Sequence, residues 1–206
     1  MAGRPRDLRL SRLPLPGRPR PGRPYRVLVL GGARSGKSLT AERLLAARGQ
    51  VEYVATGAIP DTADTADTAD PDWAQRVRVH RQRRPAHWTT LETLDLERVL
   101  AGHGAAPVLM DCLSVWLARV MDQAGLWDGQ PGADENLARR ADGLLDAWRS
   151  TRRHVVAVSN EVGSGVVPGT ASGVRFRDEL GILNARFAAE CEQVWLCTAG
   201  IARRLR

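Results

Sequence analysis

Residues 25–38 read YRVLVLGGARSGKS: a short apolar run that passes directly into a glycine-rich turn and then into helical periodicity. Gly31-Gly32-Ala33-Arg34-Ser35-Gly36-Lys37-Ser38 fits G-x-x-x-x-G-K-[ST] at every fixed position. Glycines let successive backbone N–H groups turn inward around phosphate oxygens. The helix that follows adds the positive end of its dipole. In such a loop Lys37 reaches the β- and γ-phosphates, and the Ser38 hydroxyl is placed to bind Mg²⁺. Lys37 is the sole lysine among 30 Lys and Arg residues. A compact ammonium among phosphates is not replaced by a planar guanidinium fork.

The rest of the chain repeats the strand-then-helix rhythm. Apolar runs at 51–56 (VEYVAT), 107–112 (PVLMDC), 154–159 (HVVAVS) and 194–198 (VWLCT) join Tyr25–Leu30 as predicted strands. Helical patterning covers 39–48, with Gly49 as its stop, and then 73–83, 94–101, 113–121, 137–152 and 174–191. Short, nearly continuous apolar strands separated by helices predict a mostly parallel sheet covered on both faces, an α/β fold. Two polar segments interrupt the rhythm. Residues 61–70 (DTADTADTAD) read as a low-complexity loop insertion, and 125–136 (GLWDGQPGADEN) as a second loop.

A chain of 206 residues and 22.5 kDa suits one full core, here residues 25–206. No apolar run reaches the ~18 residues of a membrane span. Cys112, Cys191 and Cys197 are odd in number and lack CxxC spacing, which predicts reduced thiols and a cytoplasmic protein. The formal charge of +7 suggests nucleic acid, but its distribution does not. Residues 1–24 hold seven arginines, one acid and six of the twelve prolines, so the body retains only +1. That Arg/Pro-rich segment reads as a disordered tail, and no nucleic-acid partner is expected.

Asp111 closes the apolar strand at 107–110. That is where a second acidic residue holds Mg²⁺ through water beside such a loop; the alternative is an N-cap for the helix at Leu113. In WAQRVRVHRQRRPAHW (73–88), Trp73, Val77, His80 and Arg84 share one helix face, and Arg76, Arg81, Arg83 and Arg84 surround His80. Like charges favour a neutral imidazole, a possible nucleophile at phosphorus. By spacing alone, a surface histidine without chemistry is the plainer reading. His87, between Pro85 and Trp88, reads as a packed or hydrogen-bonded residue. His103 and His154 lie at element edges without visible partners.

Taken together, LGGARSGKS (30–38), YVAT (53–56), RVRVH (76–80), RRPAHWTTLE (83–92), DCLSVWL (111–117), VSNEVGSGVVP (158–168) and FRDELGILNARFA (176–188) resemble a known family. It is the bifunctional adenosylcobinamide kinase / adenosylcobinamide-phosphate guanylyltransferases of cobalamin biosynthesis. The resemblance implies a single RecA-like P-loop NTPase domain in a homotrimer. It implies phosphorylation of the aminopropanol hydroxyl of adenosylcobinamide, then transfer of GMP from GTP to the resulting phosphate through a GMP–histidine. GTP, with ATP as a second candidate phosphoryl donor, and Mg²⁺ are the implied small molecules. His80 matches the nucleophile and Lys37 the loop cation. Residues 31–38 match the triphosphate site, Ala55, Thr56 and Gly57 its wall, and Arg81, Gln82, Arg83 and Arg84 the guanylate contact region. Glu92 matches an acidic guanosine contact, and Ser38 and Asp111 the metal residues.

The family usually carries an acidic pair and a methionine ahead of the histidine helix, where this chain has Asp70-Pro71-Asp72-Trp73. Removing the triplet repeat restores a typical spacing between Thr56 and His80, so the repeat lengthens the loop leading to that helix. A P-loop kinase of another small metabolite would share the loop and Asp111 but would not need His80. A RecA-like nucleic-acid-dependent ATPase is the alternative from a different class.

Overall fold

A computed structural model describes residues 24–57 and 84–206, together with Arg78 and Gln82. Nearly all of the tail, the triplet repeat, and His80, Arg81 and Arg83 lie outside the described residues, as does the predicted helix at 73–83 apart from Arg78 and Gln82. Those two are helical and exposed.

The elements run β1 (Tyr25–Gly31), α1 (Lys37–Leu45), β2 (Glu52–Ala55), β3 (Thr89–Glu92), α2 (Leu96–Ala101), β4 (Val108–Asp111), α3 (Leu113–Gln123), α4 (Ala133–Ser150), β5 (His154–Asn160), α5 (Ala171–Ala189), β6 (Gln193–Thr198) and β7 (Ile201–Arg204). The seven strands form one sheet in the order β3-β2-β4-β5-β1-β6-β7. Every pairing is parallel except β6 with β7. The expected α/β architecture is therefore present, with two edge strands that the apolar pattern did not predict.

Strand alternation sends side chains to two cores. Val155, Ala157, Val108 and Met110 pack with Trp116, Leu144, Trp148 and Phe187 from α3, α4 and α5. Val27, Val29, Val156, Val158, Leu109 and Tyr53 pack with Ala41 and Leu45 of α1 on the other face. The inner strands are buried on both faces, which is why they read as continuous apolar runs.

Three helices begin earlier than their apolar periodicity suggests. α1 starts at Lys37, capped by Gly36 in a left-handed conformation. α5 starts at Ala171, where the Thr170 side chain accepts the Gly173 N–H at 3.1 Å. α4 takes in Ala133–Asn136, so the polar loop predicted at 125–136 ends at Gly132. Asp134 and Glu135 there favour the positive helix end rather than opposing a helix.

Candidate active site

Parallel register sets the site. Gly31 pairs with Asn160 and Cys197, Ala55 pairs with Asp111 and Glu92, and Asp111 pairs with Val158. The glycine loop, the Ala55–Gly57 turn, Glu92 and Asp111 thus share the carboxyl edge of one sheet, where α/β folds bind ligands.

The loop closes tightly on itself. The Ser35 N–H donates to Gly32 O at 3.3 Å, and the Gly200 N–H donates to Ser35 O at 3.0 Å. A Cβ on Gly31 would lie 2.7 Å from Cys197 O, so only glycine fits there. Gly36 has φ of 92°, a conformation that side chains rarely adopt. Lys37 Nζ donates to Gly32 O at 3.3 Å and so lies back across the loop. Ser38 stands half-buried in the first turn of α1.

The N-cap of α3 is Cys112 rather than Asp111, and it makes no side-chain cap bond. Instead Asp111 Oδ2 accepts the Tyr53 hydroxyl at 2.7 Å. Tyr53 is buried, and burial first, then the Asp111 charge, raises its phenol well above the ordinary value. The Arg84 guanidinium lies 3.4 Å above the Tyr53 ring and donates to Thr90 Oγ1 at 3.2 Å. Through Tyr53, Arg84 is therefore linked to the Asp111 carboxylate at the end of β4. The buried Thr56 hydroxyl donates to Cys112 O at 2.8 Å and accepts the Cys112 N–H at 3.0 Å, which locks the β2 and β4 ends together. Glu92 is half-buried at the end of β3, and Gly57 is half-buried beyond β2.

Tyr53 and Arg119 were not singled out in the sequence. Arg119 Nη1 donates to Thr56 O at 3.1 Å. Each left a signal: a tyrosine in an apolar strand must pair its hydroxyl, and Arg119 is the one charge in LSVWLARVM. Of the other histidines, His87 is exposed rather than packed. His154 does have a partner, the Tyr25 ring at 5.2 Å, edge to face.

Residues 27–205 match the family model described as cobinamide kinase / cobinamide phosphate guanyltransferase. The chain belongs to that family. The match includes the loop, both strand-end carboxylates and the His80 segment. The chain is 38% identical over 187 residues to the bifunctional adenosylcobalamin biosynthesis protein CobP of Pseudomonas aeruginosa, covering 88% of this chain and 97% of that protein. It is 34% identical to the corresponding CobU of Escherichia coli, covering 87% and 99%. Among solved structures, a prototypical ATPase from the type III secretion system of pathogenic bacteria shares the fold. Its TM-score is 0.53 at 12% identity, covering 84% of this chain and 51% of that one. The cobinamide kinase family is thus built here on a P-loop NTPase sheet. No helix among the described residues is long and apolar enough to cross a membrane.

Proposed function

We propose that the chain catalyses two successive transfers at one nucleotide site. In the first, the aminopropanol hydroxyl of adenosylcobinamide attacks the γ-phosphorus of a nucleoside triphosphate, and the diphosphate leaves. In the second, the His80 imidazole attacks the α-phosphorus of GTP and pyrophosphate leaves. The corrinoid phosphate then displaces His80 from that phosphorus, giving adenosylcobinamide-GDP. The observation that carries this reading is the family match over residues 27–205, with the phosphate loop complete within it.

The chain's own groups suit those roles. The loop N–H groups and Lys37 would hold the triphosphate, and Arg81, Gln82, Arg83, Arg84 and Glu92 would face the guanylate. Ser38 and Asp111 present a hydroxyl and a carboxylate, hard oxygen donors of the kind Mg²⁺ accepts while it keeps several waters. The described residues contain no cluster of three acidic, His or Cys side chains, so phosphates and water would complete its shell. Bound there, the ion would neutralise phosphate charge. Assembly as a homotrimer belongs to the same reading; exposed Val166, Val167 and Ile182 are apolar surface open to subunit contact. Three free, buried thiols agree with a cytoplasmic setting.

Labelled GTP tests the reading. The wild-type protein should retain label from the α position and none from the γ position. The adduct should be acid-labile and alkali-stable, as a phosphoramidate is. His80→Ala should lose the adduct and guanylyl transfer while most kinase activity survives. Label that persists in His80→Ala, or that maps by mass spectrometry to His87, would overturn the assignment.

A further inference from the structure

Two stretches matched the family without acquiring a role, VSNEVGSGVVP and FRDELGILNARFA. They meet at one residue. Asn184, buried on α5, donates its Nδ2 to the main-chain oxygen of Asn160 at 2.9 Å. The next main-chain group, the Glu161 N–H, donates to Gly31 O at 3.1 Å. The end of β5 is therefore tied from both sides, once to α5 and once to the phosphate loop.

β5 lies between β1, which carries the loop, and β4, which carries Asp111. Asn160 pairs in register with Gly31, two residues beyond the partner of Asp111. Val156 and Val158 face the α1 side with Tyr53 and Leu109. By alternation Asn160 and Asp111 face that same side, with Asn160 in register with Gly31, the first residue of the loop. Asn160 Oδ1 is buried and has no hydrogen-bond partner. Buried carbonyl oxygens seldom go unpaired, and each exception calls for a donor. Ser159 Oγ and Asn184 Oδ1 are also unpaired, but they belong to the α5 side of the sheet. Asn160 alone of the three faces the phosphate site.

We infer that Asn160 holds the acceptor alcohol in the kinase step, an inference that rests on the function proposed above. Its Oδ1 accepts the hydroxyl O–H and turns an oxygen lone pair toward the γ-phosphorus. The new O–P bond forms as the bond to the β–γ bridging oxygen breaks. The diphosphate departs with that electron pair, and the hydroxyl proton passes to solvent, since an amide does not retain it. Phosphoryl transfer asks mainly for positioning of this kind. Neither guanylyl step presents a hydroxyl: one nucleophile is an imidazole and the other a phosphate. Asn160 therefore serves one reaction of the two.

Three rates on the full chain test this: phosphorylation of adenosylcobinamide, adduct formation from α-labelled GTP, and GMP transfer to adenosylcobinamide phosphate supplied ready-made. Asn160→Ala should lower the kinase kcat about 10²-fold. The KM for nucleotide and the other two rates should stay within about threefold. Asn184 and Gly31 hold main-chain atoms of 160–161, so the substitution leaves those ties in place. Asn160→Gln, which keeps the amide but displaces its oxygen by one methylene, should show the same selective loss. A kinase rate within threefold of wild type in both variants would overturn the inference, as would a parallel fall of all three rates in either one. A wild-type chain that does not phosphorylate adenosylcobinamide would overturn the kinase reading itself, before any variant is compared.

Discussion

The two ends of the central strands are built to opposite rules. At the amino ends, charged groups close on one another. Arg153 is buried, yet its Nη2 reaches Glu52 at 2.8 Å and Ala106 O at 2.9 Å, and its Nη1 reaches Val99 O at 3.1 Å. Arg26 pairs with Glu192 at 2.8 Å, and Glu192 is held below the ordinary carboxylate range: burial raises it, but the hydrogen bonds and charge of Arg26 together outweigh that. At the carboxyl ends, Ser35 Oγ and Asn160 Oδ1 are buried without partners, and the loop backbone takes conformations that only glycine bears easily. One end spends its polar groups on the fold, with Arg153 Nε the exception left buried and unpaired. The other keeps them for a ligand, as the general placement of sites in α/β sheets requires.

Substitutions at the two ends should therefore fail in different ways. The largest effect is expected at the carboxyl end. Lys37→Ala should abolish phosphorylation and guanylylation together, each by about 10²-fold or more. Its thermal unfolding should stay close to wild type, because among the described residues the only side-chain hydrogen bond it removes is the long one to Gly32 O. Either activity near the wild-type rate would show that the two reactions use separate nucleotide sites.

The next effect belongs to the amino end. Arg153→Ala leaves Glu52 partly buried without its cation and strips donors from two carbonyls. Breaking a buried pair from one side costs about 3–5 kcal/mol. Urea unfolding should show that loss, while the kcat of the folded enzyme holds within about twofold. A kcat that falls along with stability would mean that the two ends are not separable.

The same contrast explains what the sequence could and could not reveal. The inner strands β1, β4, β5 and β6 are legible because burial on both faces demands unbroken apolar runs. β3 (TTLE) and β7 (IARR) lie at the two sheet edges, are largely exposed, and carry no such run. The phosphate loop is legible because its chemistry is local: eight consecutive residues contain it. The contact between Tyr53 and Asp111 spans 58 positions, and that between Asn184 and Asn160 joins a helix to a strand end. The first depends on register across the sheet and the second on how α5 packs against it, and no local pattern encodes either. The Arg84–Tyr53 stack is of the same kind.

The smallest effect, and the one that separates the ends by pH, concerns His154. It opens β5 at the amino end, against the Tyr25 ring. Burial, then repulsion from Arg48, lowers its pKa from 6.5 to about 4. The folded state therefore keeps the ring neutral where the unfolded chain would protonate it. Above pH 6.5 neither state binds the proton, and His154 leaves stability unchanged. As pH falls from 6.5 toward 4 the unfolded chain binds more protons, so stability declines, by at most about 3 kcal/mol for a shift of this size. His154→Phe keeps a ring beside Tyr25 and removes the titration. Its unfolding free energy should match wild type within about 1 kcal/mol at pH 7 and exceed it by about 2 kcal/mol near pH 4.5. The pH profile of phosphorylation should be the same for both proteins, since the residue stands at the far end of β5 from Asn160. Identical acid sensitivity of the two proteins in urea titrations at pH 7 and 4.5 would show that the ring is not held neutral.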